Sequence, residues 1–307
     1  MRESGTGSEQ NVFYPSWVER NGFSHWIVAV LWTGIAFFLF QAVASVVAIT
    51  LIILNEGLDP NVDLTRVMTE RLDLLFIGNS VGQILFLGLA SWLVAGLHTG
   101  GESRNRYLRL TTRSDTVNLT LLTALLFVVV QPTIWYIGYL NSLLPIPDYF
   151  SELQDAQQEM IENFLQSDGA VLMGLLNIAL VPAICEEVMF RGYVQRSLER
   201  SWGIWAAILV SGFLFGLFHL QMTNILPLST LGVLLALVTW LSGSLIPAMV
   251  AHFVNNGSAV VLGNMWPEMA FAEMTAETAP PLWSLGVSLL LSYLIIRQLF
   301  VQRKIQS

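Results

Sequence analysis

Residues 26–54 read WIVAVLWTGIAFFLFQAVASVVAITLIIL, which is 29 positions without a charged side chain. A helix needs about 20 consecutive apolar residues to cross the hydrocarbon core of a bilayer, where it satisfies its own backbone hydrogen bonds. The run therefore predicts a membrane-spanning helix that is long enough to tilt.

The rest of the chain has the same apolar character. Of its 307 residues, 54% are hydrophobic and 12% are charged, whereas a soluble domain carries about 25% charged residues. The mean hydropathy is +0.61. Arg and Lys are absent from 72–97, 114–190 and 201–296. These long uncharged stretches predict further spans, so the composition indicates a polytopic membrane protein.

Eight apolar segments can be counted along the chain. They lie at about 26–54, 74–97, 117–140, 169–190, 204–220, 226–241, 245–262 and 282–300. Trp and Tyr recur near the segment ends, as expected for side chains that anchor a helix at the membrane interface. The predicted fold is an all-α bundle of about eight transmembrane helices.

The basic residues test this count, because cytoplasmic loops of membrane proteins are enriched in Arg and Lys. If the N-terminus is cytoplasmic, 12 of the 14 basic residues fall in cytoplasmic pieces, and only Arg66 and Arg71 fall outside. The sequence therefore predicts a multi-pass protein of a cytoplasmic membrane with both termini in the cytoplasm.

This topology divides the chain into four regions. Residues 1–25 are a predicted cytoplasmic tail, 26–165 hold the N-terminal transmembrane helices with an acidic outer loop, 166–265 form the core with the candidate site, and 266–307 hold the last transmembrane helix and a basic C-terminal tail. Within the acidic loop, 149–166 are predicted to form a helix, either solvated or lying on the bundle as a lid.

Two adjacent carboxylates, Glu186 and Glu187, follow 17 uncharged residues. An acidic group deep in a membrane costs about 2.5–3.5 kcal/mol on insertion scales, so a partner is expected. Glu187 and Arg191 have the i,i+4 spacing of a helical ion pair. Glu186 points away from that pair and is predicted to stay free as a general base. The alternative is that these residues only mark the cytoplasmic end of the fourth span.

His219 and His252 are the only ionisable side chains between residues 201 and 267. His252 and Asn256 are four residues apart and share one helix face, whereas Asn255 lies off it and is expected to cap or pack. Glu186 stands 17 residues before Gly203, and His219 stands 16 after it. At about 1.5 Å per residue, both lie about 25 Å from a turn there. His252 and Asn256 follow the next turn on the same side, near Gly243, by 9 and 13 residues. The four groups are therefore predicted to meet at one depth.

Three motifs carry a resemblance to a known family. Glu186-Glu187-x-x-x-Arg191, Phe215-x-x-x-His219 and His252-x-x-x-Asn256 resemble, in order and spacing, the motifs of the CPBP family of CAAX prenyl proteases and bacteriocin-processing or Abi-type immunity proteins. The resemblance covers about 170–265. It implies a membrane-embedded endopeptidase site.

The resemblance also implies roles for the residues. Glu186 would activate water with His219, while His252 and Asn256 would bind the developing oxyanion or a metal. Glu187 and Arg191 would position these groups. The expected cofactor is a divalent metal, zinc above all, with His219, His252 and Glu186 as ligands. The same residues can also act without metal.

Two other functions stay open at this point. A non-proteolytic membrane scaffold or bacteriocin immunity protein would need no catalysis, and a proton-coupled transporter would use the buried carboxylates and histidines as a relay. Repeated halves, which transporters often show, are not evident. The expected partners are a membrane-associated peptide or protein substrate and the lipid bilayer. No basic patch interleaved with aromatic residues predicts a nucleic acid partner.

Overall fold

The computed structural model describes residues 14–57, 71–272 and 275–306, and the secondary structure of these residues is helical, without strands. The predicted all-α membrane fold is confirmed. The predicted tail up to residue 13 and Arg66 lie outside the described residues. The principal helices are α1 (His25–Glu56), α2 (Leu72–Ala95), α3 (Thr116–Val129), α4 (Gln131–Ser142), α5 (Asp148–Leu165), α6 (Ala170–Trp202), α7 (Ile204–Phe218), α8 (Ile225–Ser242), α9 (Ile246–Met265) and α10 (Leu282–Gln306).

Each of the eight predicted segments contains a helix, but two of them are not straight spans of full length. Six helices, α1, α2, α6, α8, α9 and α10, are long and apolar enough to cross a membrane. The pair α3 and α4 makes a seventh span only in combination, because the two are bent by 46°. The apolar α7 has 15 residues, or about 22 Å, and falls short of a bilayer core of about 30 Å. The chain is thus a multi-pass integral membrane protein.

The bend between α3 and α4 has a local cause. Val130 separates the two helices, and Pro132 follows in the first turn of α4. Proline has no backbone N–H, so the carbonyl four residues earlier loses its helical donor and the helix kinks. For Pro132 that carbonyl belongs to Val128. Next to it, the Gln131 side chain runs back along α3, and its Nε2 donates to the Phe127 carbonyl at 2.7 Å.

The long helix α6 passes through the whole bundle. Its 33 residues extend about 50 Å. Two π-helical segments, Leu175–Leu180 and Val188–Val194, flank the turn that carries the two adjacent glutamates. Every side chain from Val188 to Val194 is buried. Segments of π-helix often occur at functional sites because they change which side chains face a neighbour.

Helices α7 and α8 form a closely packed hairpin. A Cβ added to Gly212 would lie 2.5 Å from the backbone nitrogen of Val233, and one added to Gly232 would lie 2.5 Å from the Gly212 carbonyl. Only glycine allows two backbones to approach this closely. The hairpin therefore holds α7, which ends next to His219, rigidly against α8.

A polar cap covers the end of the bundle at which α6 terminates. Arg109 makes two hydrogen bonds of 2.9 Å to the Glu199 carboxylate. Its backbone has φ 58, and its carbonyl accepts from the Leu245 N–H at 3.0 Å. The loop before α3 therefore joins the end of α6 to the start of α9. Deeper in the cap, His98 Nδ1 lies 2.8 Å from His25 Nδ1.

The acidic segment before α6 forms the helix that the sequence predicts. In α5, Phe164 and Leu165 are buried, whereas Tyr149 and Leu153 are exposed. The C-terminal end of α5 therefore packs on the bundle, whereas the N-terminal half leaves one face exposed and keeps Phe150 and Gln154 partly buried.

Candidate active site

A fully buried ion pair lies at the centre of the site. Arg191 Nη1 is 3.1 Å from Glu187 Oε1, and neither side chain is exposed. The i,i+4 pair predicted from the sequence is therefore present. Arg191 Nη2 also donates to the Gly232 carbonyl at 3.3 Å, and the guanidinium lies 4.2 Å from the centre of the Phe215 ring. Buried ion pairs need such additional partners, so Arg191 also fastens α6 to α7 and α8.

His252 binds the carboxylate that faces Arg191. Its Nδ1 lies 2.9 Å from Glu187 Oε1. Because a carboxylate accepts hydrogen bonds, Nδ1 donates, and Nε2 is the acceptor nitrogen of the neutral ring. Nε2 lies 3.3 Å from Asn256 Nδ2 and 3.9 Å from Glu186 Oε2. Glu187 therefore fixes the tautomer and the orientation of His252.

Asn256 is held by a backbone carbonyl that a proline leaves without its helical donor. Pro182 has no N–H to donate to Ile178, four residues earlier. Asn256 Nδ2 donates to the Ile178 carbonyl at 3.0 Å. An unpaired carbonyl inside a membrane costs several kcal/mol. This one bond therefore stabilises α6 and also fixes the position of the Asn256 amide.

His219 lies at the C-terminal end of α7. Its Nδ1 donates to the Phe215 carbonyl at 2.8 Å, because a carbonyl can only accept, and this leaves Nε2 for another partner. The next residue, Leu220, has φ 55, a left-handed conformation that ends the helix. The Phe215 ring contacts both histidines, with centroid distances of 4.8 Å to His219 and 5.8 Å to His252.

The two histidines and Asn256 line one small cavity of about 40 Å³. Its other lining residues are Phe127, Phe215, Leu228, Leu231, Leu235 and Asn255. A polar cavity needs about 10–15 Å³ to hold a water molecule, so this one accommodates water. Glu186 is not among these lining residues, and no described hydrogen bond or ion pair joins it to His219.

Glu186 supplies an open acceptor beside this cavity. Its Oε2 atom is buried and accepts no hydrogen bond from the described residues. Two carboxylates therefore share the single guanidinium of Arg191 while His252 is neutral. The excess negative charge is costly in a low dielectric unless water, a proton or a cation joins it. The arrangement therefore leaves one carboxylate oxygen open to a water molecule.

Two further polar residues join the site. Asn255 Nδ2 donates to Asn256 Oδ1 at 3.1 Å, and Gln131 Nε2 donates to Asn255 Oδ1 at 3.0 Å. The sequence predicts only capping or packing for Asn255, and its motifs do not include Gln131. The available signal was an amide side chain in an otherwise apolar span, next to Pro132.

The predicted metal ligands do not form a closed group. No set of three or more His, Cys, Asp or Glu side chains in the described part of the chain is arranged to hold a metal ion. His252 Nδ1 is engaged by Glu187, and Glu186 approaches the other nitrogen of the same ring. The arrangement does not fit the predicted set of His219, His252 and Glu186, so zinc dependence stays a prediction.

Comparison with known families agrees with the sequence motifs. Residues 168–258 match the family model described as type II CAAX prenyl endopeptidase Rce1-like. This segment includes all six predicted site residues and confirms the suspected resemblance, while α1 to α5 and α10 lie outside it. No curated protein and no solved structure matches the chain.

Proposed function

We propose that this multi-pass membrane protein is an intramembrane endopeptidase that hydrolyses a peptide bond of a membrane-associated substrate. The family match of residues 168–258 supports a protease. The observation that carries the proposal is the water-sized cavity that His219, His252 and Asn256 share next to the unpartnered carboxylate oxygen of Glu186. These are the groups that hydrolysis requires: a proton acceptor, a group to orient water, and donors for an oxyanion.

In the proposed reaction, a water molecule attacks the carbonyl carbon of the scissile peptide bond. Glu186 accepts a proton from that water, and His219 Nε2 accepts a hydrogen bond from it. His219 presents Nε2 as an acceptor because its Nδ1 donates to the Phe215 carbonyl. The proton then passes from Glu186 to the leaving nitrogen, and the carbon–nitrogen bond breaks.

The oxyanion that forms on the attacked carbonyl receives hydrogen bonds from the other side of the site. Asn256 Nδ2 has two N–H groups: one donates to the Ile178 carbonyl, and the other, directed towards His252 Nε2, is the proposed donor to the oxyanion. In its doubly protonated form, His252 also donates from Nε2. Donors fixed before the reaction need no reorganisation, which is the main advantage of such a site.

The size of the cavity bears on substrate binding. Its volume of about 40 Å³ is far below the roughly 300–1,000 Å³ of ordinary ligand pockets. A peptide therefore enters only when the surrounding helices separate. The wall formed by Leu228, Leu231 and Leu235 on α8 suits an apolar segment, so a lipidated C-terminal peptide containing cysteine is the first substrate to test.

The test is cleavage by purified protein in liposomes. Glu186→Gln and His219→Ala are each expected to lower the cleavage rate at least about 100-fold, since each removes a group that acts on the proton of water. Their unfolding temperatures should match that of the wild type. Glu152→Gln, at an exposed position on α5, is the matched carboxylate control and should cleave normally. Full cleavage by both site variants would reject the proposal.

The native substrate can be sought by comparing peptide termini in cells that express the wild type or Glu186→Gln. A terminus that is present only with the wild type identifies the cleavage site. A cellular phenotype that survives both site substitutions would instead support a scaffold or immunity protein. Solute flux into sealed vesicles that depends on Glu186 would support a transporter.

The zinc requirement has its own test. A zinc enzyme would contain about one equivalent of metal, lose cleavage on chelation and regain it when zinc is added. Full cleavage by metal-free protein would reject the zinc requirement and leave Glu186 as a metal-independent base.

We also propose that both termini lie in the cytoplasm. The support is the clustering of Arg109, Arg196 and Arg200 at the end of the bundle where α6 terminates, because basic residues favour the cytoplasmic side. Reporter fusions within the loop at 98–116 should report the cytoplasm, and an external signal from that loop would reverse the topology.

A further inference from the structure

Three side-chain amides form a chain that ends at His252. Gln131 Nε2 donates to Asn255 Oδ1 at 3.0 Å, Asn255 Nδ2 donates to Asn256 Oδ1 at 3.1 Å, and Asn256 Nδ2 lies 3.3 Å from His252 Nε2. We propose that Gln131 is a positioning residue that acts through Asn255 to keep the Asn256 N–H group directed into the site. The inference rests on the proposed peptidase function and assigns a part of that site to a helix outside the family match.

The direction of the chain is set at Gln131. The second partner of its Nε2 is the Phe127 carbonyl at 2.7 Å. A carbonyl only accepts, so the amide must present its NH₂ group on this side, and Asn255 must meet it with an oxygen. Asn255 then has its nitrogen left for Asn256, whose own oxygen is occupied. Each amide is thereby oriented by the one before it.

This orientation matters for the chemistry at Asn256. A flipped amide would place Oδ1 where the proposed oxyanion forms, and two oxygens would repel each other. The Ile178 carbonyl holds Asn256 Nδ2 from one side at 3.0 Å, and the chain from Gln131 occupies its oxygen on the other. Two independent contacts therefore select the same orientation of one amide.

The simpler interpretation is that Gln131 only satisfies the Phe127 carbonyl at the bend before Pro132. Under that interpretation, its replacement lowers stability but affects cleavage no more than any other loss of a buried amide. Asn177 provides the matched control. Its Nδ2 also donates to the carbonyl four residues earlier, that of Met173 at 2.9 Å, and its Oδ1 accepts from Ser80 at 2.7 Å.

The experiment compares the cleavage kinetics of Gln131→Met, Asn255→Leu and Asn177→Leu in the full chain. Loss of a whole oxyanion donor costs about 10²–10³ in kcat; because the Ile178 bond remains, the first two variants should lose about 10-fold in kcat with KM unchanged. Asn177→Leu should keep the wild-type kcat. Asn255→Leu retains the bond between Gln131 and Phe127, so it remains informative if Gln131→Met folds poorly.

A second arm tests whether Gln131 acts through Asn256. In an Asn256→Ala background, Gln131→Met should change the single-turnover rate less than twofold, because the group that it orients is already gone. A merely structural effect would lower the rate by the same factor in both backgrounds. An equal factor in both backgrounds, or an unchanged kcat in Gln131→Met and Asn255→Leu, would overturn the inference.

A third arm does not depend on proteolysis. In protein labelled with ¹⁵N at asparagine, the side-chain amide signal of Asn256 can be identified by its loss in Asn256→Ala. It should shift or broaden in Gln131→Met and stay in place in Asn177→Leu. An unmoved signal in Gln131→Met overturns the positioning role. Absence of cleavage by the wild type would reject the peptidase proposal separately, while this signal still decides the orientation of the amide.

Discussion

The imidazole of His252 donates from Nδ1 to the carboxylate of Glu187 at 2.9 Å. The oxygen that accepts this bond also faces Arg191 at 3.1 Å. One buried atom therefore neutralises a guanidinium and fixes a histidine tautomer. The first effect concerns the stability of the bundle and the second concerns the site, so substitutions can separate them.

Replacement of Arg191 by methionine should destabilise the protein strongly. The change leaves Glu187 as an unpaired buried charge, and breaking a buried pair in this way costs about 3–5 kcal/mol. Thermal or denaturant unfolding in detergent micelles measures the loss.

The double variant Glu187→Leu with Arg191→Met is the control for this prediction. It removes both charges, so its stability should return close to that of the wild type. The double variant should nevertheless lose cleavage, because His252 no longer has a partner for Nδ1. A double variant as unstable as Arg191→Met alone would show that packing, and not charge, accounts for the loss.

Replacement of Pro182 by alanine should raise stability and lower activity. Alanine restores an N–H that can donate to the Ile178 carbonyl, and a proline inside a helix costs up to about 3 kcal/mol relative to alanine. The new bond competes with Asn256 for the same acceptor, so kcat should fall. Pro247→Ala is the matched control, since Pro247 is in the first turn of α9, where proline interrupts no helical bond. A more stable Pro182→Ala protein with wild-type kcat would contradict this account of Asn256.

Replacement of Gly212 by alanine should disturb the hairpin that carries His219. The added Cβ would meet the Val233 backbone at 2.5 Å, and overpacking of this kind typically costs about 1–3 kcal/mol. Both the unfolding temperature and the cleavage rate should fall. Gly34→Ala is the comparison, because a Cβ there meets no atom within 4 Å. That variant should be as stable as the wild type or about 0.5–1 kcal/mol more stable. Equal behaviour of the two variants would refute the packing argument.

Stability should depend on pH through His98. Burial, together with the nearby charges of His25 and Arg200, lowers the pKa of His98 to about 3. The unfolded chain binds a proton near pH 6.5, whereas the folded chain does not, so acidification favours the unfolded state. Between pH 6.5 and pH 5 the loss should be about 2 kcal/mol.

The measurement for this prediction is the unfolding midpoint at pH 7 and at pH 5. His98→Gln keeps a polar group beside Tyr193 and removes the titration, so it should weaken the pH dependence. The pKa of Glu19 is lowered, mainly by its hydrogen bond to the Ser16 backbone, and its contribution is lost only below about pH 5. If His98→Gln and the wild type show the same change of unfolding midpoint with pH, groups other than His98 cause that change.

Local spacing predicted the parts of the site that depend on one helix at a time. The pairing of Glu187 with Arg191 follows from positions i and i+4, and the shared cavity of His219, His252 and Asn256 agrees with counting residues from two turns. The ion pair is predictable because helical geometry is regular over short distances, whereas the predicted meeting of Glu186 with His219 stays a prediction.

The parts that spacing could not predict depend on contacts between distant segments. His98 meets His25 and Tyr193 across separations of 73 and 95 residues. The bend before Gln131 follows from Pro132, but no periodic pattern shows that its amide reaches Asn255, 124 residues away. A backbone carbonyl that a proline leaves without its helical donor needs another donor inside a membrane. The packing of the whole bundle decides which helix supplies that donor.

Gly203 joins α6 to α7 as a single residue with φ 78. Glu186 precedes this glycine by 17 residues and His219 follows it by 16, so the length of the turn contributes to how the two side chains are aligned. The position of each group along its helix is counted from this turn. A side chain that tolerates its backbone angles can change there without altering the count, but one inserted residue advances a helix by about 1.5 Å and rotates it by about 100°. We therefore expect the length of this turn, about 25 Å from the candidate site, to be constrained as tightly as the identity of the residues in that site.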